Sequence, residues 1–590
     1  MLILTEKPSV AKDFAKALGC TYSTTEKCFK KADGSVYIAN CVGHLFELDE
    51  PASYNPEFKN WKNLPIVPDQ FHYHVTPSVK DTAKAVINLL KKHKSDEILI
   101  ATDADREGEI IARECLKAAG ITDTSKIKRF WVSQAMTSDV ILDGIQKAKA
   151  LADYDQLADQ GFARQHSDWL VGINGTRFIT NKVANLFTVG RVQTSVLSAI
   201  SARCSSIANF KAEKYYEIAA TFAVPNGTLF PGLLVDTAGK SRFNEAALAP
   251  KLQPYLNQPA KLLKLKSEKK EILPPQLYSL NDLQKDAFHY FNYSAEMTLY
   301  LVQNLYENYK CVSYPRTPSK VMGSQNVELC KNLYQKFLTQ YLEYFVLHPF
   351  YKIDASNKRI FNDAQLEAHH AIIPLAKIPA GATGDEENIY NLILERFMLA
   401  FAPAHVYEKQ IAMLSVGDSQ FKIEGRKVLD EGWQKFRRFT RLLKEADSDE
   451  IQLLDNIDWN NLTLTAVKSV QKTTKPPKHF NEASILAFME NPKGESGDKK
   501  LVGLGTPATR HTFIPKLLRS KYIEVTNKNI LITKNGEKLL QLIAKTPLSA
   551  LADVEETTRW EEKLAQNPIL FEADIKSYVR KAVSGEVLHA

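Results

Sequence analysis

Cysteine is scarce and never paired in this sequence. None of its seven cysteines (Cys20, Cys28, Cys41, Cys115, Cys204, Cys311, Cys330) falls in a C-x-x-C spacing, and none lies beyond Cys330. Zinc ribbons need such pairs, so they are excluded from everything after Cys330, and unpaired thiols argue for a reducing compartment. Long apolar runs are also missing. No stretch approaches the roughly 18 residues of a membrane span, and the opening MLILT meets Glu6 and Lys7 too soon to be a secretory signal core. A soluble, cytoplasmic protein is expected. The chain has no G-x-x-x-x-G-K-[ST] phosphate loop, so no nucleoside triphosphate is implied as fuel. Charge of one sign is not in large excess: 76 Lys and Arg face 68 Asp and Glu, a net +8. That balance fits a polyanionic partner without demanding one.

What is present is enough apolar residue, 44% of 590, to build several cores, and four or so domains are expected. MLILT reads as a buried strand and SVAKDFAKALG as a helix closed by Gly19; DEILIAT reads as a second buried strand, followed by the helix GEIIARECLKAAG. From about 155 to 205 the pattern is helical. Residues 214 to 268 alternate like strands, and a matching stretch returns at about 406 to 470. Two strand-rich blocks around a helical insert suggest one domain whose chain leaves and comes back. The charged NPKGESGDKK reads as an exposed loop, and helices predominate after 476.

Two short stretches carry chemistry. In ATDADREGE, residues 101 to 109, Asp103, Asp105, Glu107 and Glu109 directly follow a predicted buried strand, at the edge where open α/β sheets place ligands. Such crowded carboxylates call for a compensating cation, and hard oxygen donors suit Mg²⁺. Glu6 also ends a predicted strand; if the two strands are neighbours, it converges on Asp103 and Asp105. The same acids also read as a solvated turn capping the following helix. In CVSYPRTPSK, residues 311 to 320, Tyr314 and Arg316 can point to the same side of an extended run stiffened by Pro315. A guanidinium there could hold a phosphate while a phenol attacks it. Equally, a tyrosine at a helix-to-strand turn is an ordinary core residue.

Taken together, LTEKPSVAKDF, GHLFEL, ATDADREGEIIARE, ARQHSDWLVGINGTR, VGRVQTSVL, LNDLQKDAF, LVQNLYE, SYPRT, EAHHAIIP and LGTPATR occur in an order that resembles the type IA DNA topoisomerases, with the flavour of the bacterial topoisomerase III branch. The resemblance runs from residue 1 to about 565. After SYPRT the family usually has an acid where this chain has Pro318. The resemblance implies a multidomain α/β plus α and β toroid: a Toprim domain at 1–152, a helical base at 153–212 and 476–590, a β-rich arch at 213–276 and 406–475, and a winged-helix-like domain at 277–405 carrying the tyrosine. It also implies ATP-independent, Mg²⁺-dependent cleavage of one strand through a 5′-phosphotyrosine, passage of another strand, and rejoining.

In that reading Tyr314 is the nucleophile, Arg316 and Lys7 neutralise the scissile phosphate, and Glu6 exchanges a proton with the 3′ oxygen. Mg²⁺ is held by Asp103 and Asp105, with Glu6 and Glu107 as further ligands. His369 in EAHHAIIP is a proton relay. For single-stranded DNA the expected contacts are Arg164, Asp168, Trp169 and Arg177, then the segment Thr188, Val189, Gly190, Arg191, Val192 and Gln193, and finally Thr506, Thr509 and Arg510. Arg164 with Asp168 also reads as an ion pair, Trp169 as core, and the last three as a capped helix in a bundle. Expected partners are single-stranded, negatively supercoiled or catenated DNA, with a helicase as a candidate; no membrane is expected, and a monomer associated with nucleoid or plasmid is. Decatenation is favoured over relaxation because SYPRT and GTPATR resemble the topoisomerase III branch. The alternatives are a Toprim nuclease or primase, for which Tyr314 is dispensable, and a single-strand-binding scaffold without catalysis.

Overall fold

The structure is a computed structural model; it describes every residue except 133–135, 184, 245–247, 341–351, 367–368, 437–450, 453–456, 493–501 and 585–590. Most of the NPKGESGDKK loop therefore lies outside the described residues, as do Glu367 and Ala368 of EAHHAIIP.

The chain begins with β1 (Leu2–Thr5), whose Leu2, Ile3 and Leu4 are fully enclosed. Burying side chains of this size stabilises by about 1.5–3 kcal/mol each, so this strand is the centre of the first sheet. Helix α1 (Pro8–Leu18) follows, opened by proline in its first turn and closed by Gly19 at φ 68, a left-handed conformation that suits glycine. The strands β2 (Thr21–Ser23), β3 (Cys28–Lys30) and β4 (Tyr37–Asn40) come next, then the short pair β5 (Phe46–Leu48) and β6 (Tyr73–Val75) around α2 (Pro51–Tyr54). Helix α3 (Lys80–Lys92) leads to β7 (Ile98–Ala101), α4 (Arg106–Ala118), β8 (Ile127–Arg129), α5 (Ser138–Gln146) and β9 (Lys149–Ala150). The sheet order is β2-β3-β4-β1-β7-β8-β9. β1 runs parallel to both β4 and β7, with Thr5 opposite Ala101, so the ends of β1 and β7 open side by side.

Two long helices, α6 (Asp155–Val183) and α7 (Arg191–Ala208), then join the α/β unit to the rest. α6 crosses α4 closely because Gly161 has no side chain; a Cβ there would meet Ile110 Cγ2 at 2.4 Å. The strands β10 (Lys214–Ala223), β11 (Leu229–Val235) and β12 (Pro259–Ile272), with α8 (Leu248–Lys251), start a second sheet. Helices α9 (Leu280–Phe291), α10 (Ala295–Glu307), α11 (Val327–Gln340) and α12 (Gly384–Leu399) form a unit with its own core, which includes Tyr314. The chain returns through β13 (His405–Val416), β14 (Ser419–Asp430), β15 (Ile451–Gln452) and β16 (Leu462–Thr473). These strands hydrogen-bond to the earlier three in the order β11-β10-β16-β12-β13-β14-β15, and β11 also pairs with β14, which bends the sheet back on itself. The two β-rich blocks thus share one sheet.

The last part is α13 (Glu482–Glu490), α14 (Pro507–Arg510), α15 (Phe513–Arg519), the hairpin β17 (Ile523–Thr526) and β18 (Asn529–Ile532), α16 (Lys534–Ala544), α17 (Val554–Gln566) and α18 (Pro568–Val583). It shares a core with α6 and α7. No helix among the described residues is long and apolar enough to cross a membrane. The tyrosine-bearing unit packs α9 on α13 and is tied to its neighbours by polar contacts as well. Lys310 reaches Asp13 of α1 at 2.8 Å, Lys285 reaches Glu490 of α13 at 3.1 Å, and Glu482 accepts the Ala295 N–H at 2.7 Å.

Candidate active site between the acidic turn and Tyr314

Because β1 and β7 are neighbours, the residues that leave their carboxyl ends meet. The Asp103 N–H donates to Glu6 Oε2 at 3.1 Å. Asp105 caps α4, its Oδ1 accepting the Gly108 N–H at 2.8 Å. Glycine is required at 108, since a Cβ would lie 2.2 Å from the Asp103 carbonyl oxygen. The acidic turn therefore does cap the helix, as one reading of the sequence expects, but it is tightly wound and largely enclosed, with Glu107 at its open edge.

Tyr314 comes to this turn from the other unit. Its hydroxyl donates to Asp103 Oδ2 at 2.7 Å, and the Lys7 ammonium binds the same oxygen at 2.9 Å while standing 5.3 Å from the tyrosine ring centre. Only 5% of Tyr314 is exposed. Its ring packs edge-on against Tyr306 at 5.5 Å and lies 4.2 Å from the His369 ring. Burial, followed by repulsion from Asp103, Asp105 and Glu6, pushes the phenol well above its ordinary range. Burial also favours the protonated form of Asp103, yet Lys7 and the Tyr314 hydroxyl hold that carboxyl below the usual range. Glu6 is pushed up to about 8 by burial and by Asp103, and Asp105 is raised for the same two reasons.

Two further residues bring unsatisfied polar groups. Both ring nitrogens of His369 are buried without a hydrogen-bond partner among the described residues, and burial pulls the ring down to about 4, so it is neutral. His370 differs: its Nδ1 pairs with the Ala371 carbonyl at 2.7 Å. Arg316 donates from Nη2 to Gln303 at 3.2 Å, and its Nε has no partner among the described residues. It lines a cavity of about 590 Å³ with Glu6, Lys7, Lys12 and Lys310. A buried guanidinium nitrogen without an acceptor, among several ammonium groups, suits a phosphate.

Among the described residues no group of three or more His, Cys, Asp or Glu side chains is arranged to hold a metal. Glu107 faces away from the turn's interior: its carboxylate lies 3.5 Å from His44 Nε2 and 3.7 Å from Arg164 Nη1. Neither the expected four-ligand set nor the trio Glu6, Asp103 and Asp105 is gathered around one point: Glu107 is held by His44 and Arg164, and Asp103 Oδ2 by Lys7 and Tyr314. The donor chemistry of the trio does fit Mg²⁺. Glu6, Asp103 and Asp105 are crowded oxygen donors, and Glu6 and Asp105 are raised by burial and then by repulsion from Asp103, which a divalent cation would relieve.

Sequence reasoning missed what holds the turn. Arg129, fully buried at the end of β8, pairs with the equally buried Glu109 at 2.8 Å and donates to the Thr102 and Phe130 carbonyls at 2.8 and 2.9 Å and to the Asp103 carbonyl. Glu109 also accepts from Arg113 at 2.9 Å. Arg129 lies in KRFW, with no acid nearby in sequence, so only the β7–β8 pairing reveals it. His44, inside GHLFEL, was likewise passed over; it bridges Glu107 and Glu114, the latter at 3.2 Å.

The comparisons with known proteins agree with this geometry. A family model described as DNA topoisomerase matches residues 152–566, and a Toprim domain model matches residues 1–135. DNA topoisomerase 3 of Bacillus subtilis is 34% identical over 99% of this chain and 81% of its own length. That of Bacillus licheniformis is 33% identical over 96% and 78%. The chain belongs to the type IA DNA topoisomerases. Its fold matches full-length topoisomerase I from Thermotoga maritima with a TM-score of 0.73 at 20% identity, over 99% of this chain and 90% of that one.

In this topoisomerase most of the residues expected to contact DNA have partners within the protein. Arg191 is wholly enclosed, its Nε on Asp168 at 3.1 Å and its Nη1 on Glu561 at 2.5 Å. Its Nη2 is buried with no partner among the described residues, so a phosphate could meet that donor only after the side chains covering it move aside. Thr188 and Val189 pair their N–H groups with the Tyr522 hydroxyl and with Thr176 Oγ1, Val192 is core, and Gly190 caps α7 beside half-buried Gln193. Arg177 donates to the Phe58 carbonyl at 2.6 Å. Trp169 sits edge-on to Phe71 and Tyr54 and is half-buried. Arg164 reaches Thr509 Oγ1 at 3.4 Å and Asp168 at 3.8 Å, which brings α6 and α14 together. Thr506 and Thr509 bond each other at 2.9 Å, and Arg510 donates from Nε to the Leu504 carbonyl at 3.1 Å.

Proposed function

We propose that this topoisomerase cleaves one DNA strand with Tyr314, holds the 5′ end as a phosphotyrosine, passes another strand through the break and rejoins it. The observation that carries this reading is the Tyr314 hydroxyl donated to Asp103 beside Lys7, across the boundary between two units. A tyrosine dispensable for chemistry has no reason to meet the acidic turn, which disfavours the nuclease, primase and scaffold alternatives.

The roles follow from the contacts. A phenol raised by burial and nearby carboxylates is a weak nucleophile until a phosphate and its cationic surroundings enter. Asp103, already its hydrogen-bond partner, orients the hydroxyl and is the nearest acceptor for its proton. Lys7 and Arg316 neutralise the non-bridging oxygens, and Glu6 delivers a proton to the departing 3′ oxygen and takes it back on rejoining. His369, neutral and without a hydrogen-bond partner among the described residues, serves as a relay beside the ring. Asp103 and Asp105, with Glu6, would hold Mg²⁺, which when bound supplies positive charge near the phosphodiester. Bond energy passes from phosphodiester to phosphotyrosine and back, so no nucleotide is consumed.

Strand passage requires the tyrosine-bearing unit to part from α1 and α13. The contacts to be broken there include partly exposed ion pairs such as Lys310–Asp13, worth about 0–1 kcal/mol each, together with the enclosed Tyr314–Asp103 hydrogen bond and the Ala295–Glu482 bond. Because Tyr314 is enclosed, an unpaired strand is the substrate that can reach it, and negatively supercoiled or gapped catenated DNA supplies one. Arg164, Trp169, Thr506 and Thr509 are the base-unit contacts best placed to receive that strand, with decatenation as the main activity. Tyr314→Phe tests the proposal: folding and single-strand affinity should persist while relaxation of supercoiled plasmid disappears. Relaxation at the parent rate would move the nucleophile elsewhere.

A further inference from the structure

A second cavity lies away from Tyr314, where α4, the segment 69–73, α6 and the first turn of α18 meet, and encloses about 690 Å³. Small-molecule sites commonly occupy roughly 300–1,000 Å³. Its walls are flat rings held in place. Phe71 stacks on His166 with centroids 3.9 Å apart and planes 11° from parallel, and Phe162 stacks on the same imidazole at 6.0 Å. His166 cannot turn freely, since Tyr73 holds its Nε2 and Glu572 its Nδ1, each at 2.9 Å. The stacked rings cover one another and Lys576 stands over Phe71 at 5.4 Å, so a planar ring packs against the edge of this rigid stack, with little ordering cost.

The charges around the rings are unequal. Arg113 is engaged by Glu109 and Asp155; Lys117 stands over the Tyr73 ring at 5.3 Å and, like Asp69 and Asp159, has no ion pair among the described residues, so two free carboxylates face one free ammonium. Glu572 is matched by His166 and Lys576, and Glu114 by His44 and Gln165. Asp69 and Asp159 line the cavity, are exposed, and have no ion pair among the described residues. We propose that this cavity is a binding site for a planar aromatic cation, its ring against Phe71, His166 and Phe162 and its positive end at Asp69 and Asp159. An aromatic anion meets the wrong charge there, and a nucleotide phosphate is disfavoured for the same reason.

The test uses the full chain without DNA and three probes with one ring and different charge: tryptamine, indole and indole-3-acetate, titrated calorimetrically. Tryptamine should bind tightest, by about fivefold over indole, as expected for one partly solvated ion pair, and indole-3-acetate weakest. Replacing Asp69 and Asp159 together by Asn should remove the advantage of tryptamine while leaving indole unchanged. Ala118→Trp, at an exposed position on the cavity wall, should abolish binding of both, with an unchanged melting temperature showing that the fold is intact. Equal affinity for tryptamine and indole-3-acetate, or tryptamine binding undiminished in folded Ala118→Trp, would overturn the assignment.

Discussion

Arg191→Ala separates a DNA contact from a structural brace. In the fold the Arg191 guanidinium has no exposed surface and joins Asp168 on α6 to Glu561 on α17, which is itself 7% exposed. Its removal leaves Glu561 buried with a charge that Arg164 and Arg106 compensate only in part. Breaking a buried pair by removing one partner costs about 3–5 kcal/mol, and those two remaining arginines place the expected loss near the lower end, about 3 kcal/mol. For a cooperative unit of roughly 150–250 residues each kcal/mol shifts the melting point by about 2–4 °C, so the helical base should melt some 6–12 °C lower. Calorimetry follows that transition. Single-strand affinity, measured across a salt series well below it, should keep its slope, whereas a lost phosphate contact would lower the log-log slope by about 0.7. Arg191→Met combined with Glu561→Leu should recover most of the stability, since an apolar replacement of a whole buried pair is often neutral. An unchanged melting point together with a reduced slope would refute the brace and return Arg191 to the DNA path.

Other substitutions probe the centre itself. Gly108→Ala should lower relaxation severely with a far smaller loss of single-strand binding, because its Cβ would collide with the Asp103 carbonyl and unwind the acidic turn; parallel plasmid and filter-binding assays separate the two. Glu109→Gln should destabilise the N-terminal unit by about 3–5 kcal/mol by stranding buried Arg129, read as a lower melting transition of that unit. Asp103→Ala combined with Asp105→Ala should abolish Mg²⁺-dependent relaxation, and full activity of this variant in chelator would remove the cation from the mechanism. Lys310→Ala, which deletes one half-exposed ion pair across the opening interface, should change relaxation by no more than about fivefold, with a smaller effect at high salt.

The residues legible in the sequence are those whose neighbours are set by strand order or by local spacing. Glu6 and Asp103 end two apolar runs, so their convergence needs only that the strands be adjacent, and they are. Gly19, the acids of the turn and the Tyr314–Arg316 spacing are local signals of the same kind. Harder to foresee were partners far apart in the chain. Arg129 meets Glu109 only through β8, Arg191 meets Glu561 only when α17 packs on α7, and Glu107 leaves the turn for His44 and Arg164. An arginine beside a glycine in TVGRVQ looks exposed in a linear reading, which does not show that Asp168 of α6 and Glu561 of α17 will cover it. Arg164 with Asp168 illustrates a signal with two uses, since the same i, i+4 pair also ties α6 to the Thr506–Thr509 turn.

The central claim is that Tyr314 becomes covalently joined to the 5′ side of the break. The direct measurement is to incubate the protein with single-stranded oligonucleotide labelled at either its 5′ or its 3′ end, trap with denaturant, and separate protein-linked label by gel. The account predicts that the 3′ label alone becomes protein-linked, because the fragment downstream of the break keeps that end, and that Tyr314→Phe yields no adduct. Linkage of the 5′ label, or an adduct that survives in Tyr314→Phe, would contradict it.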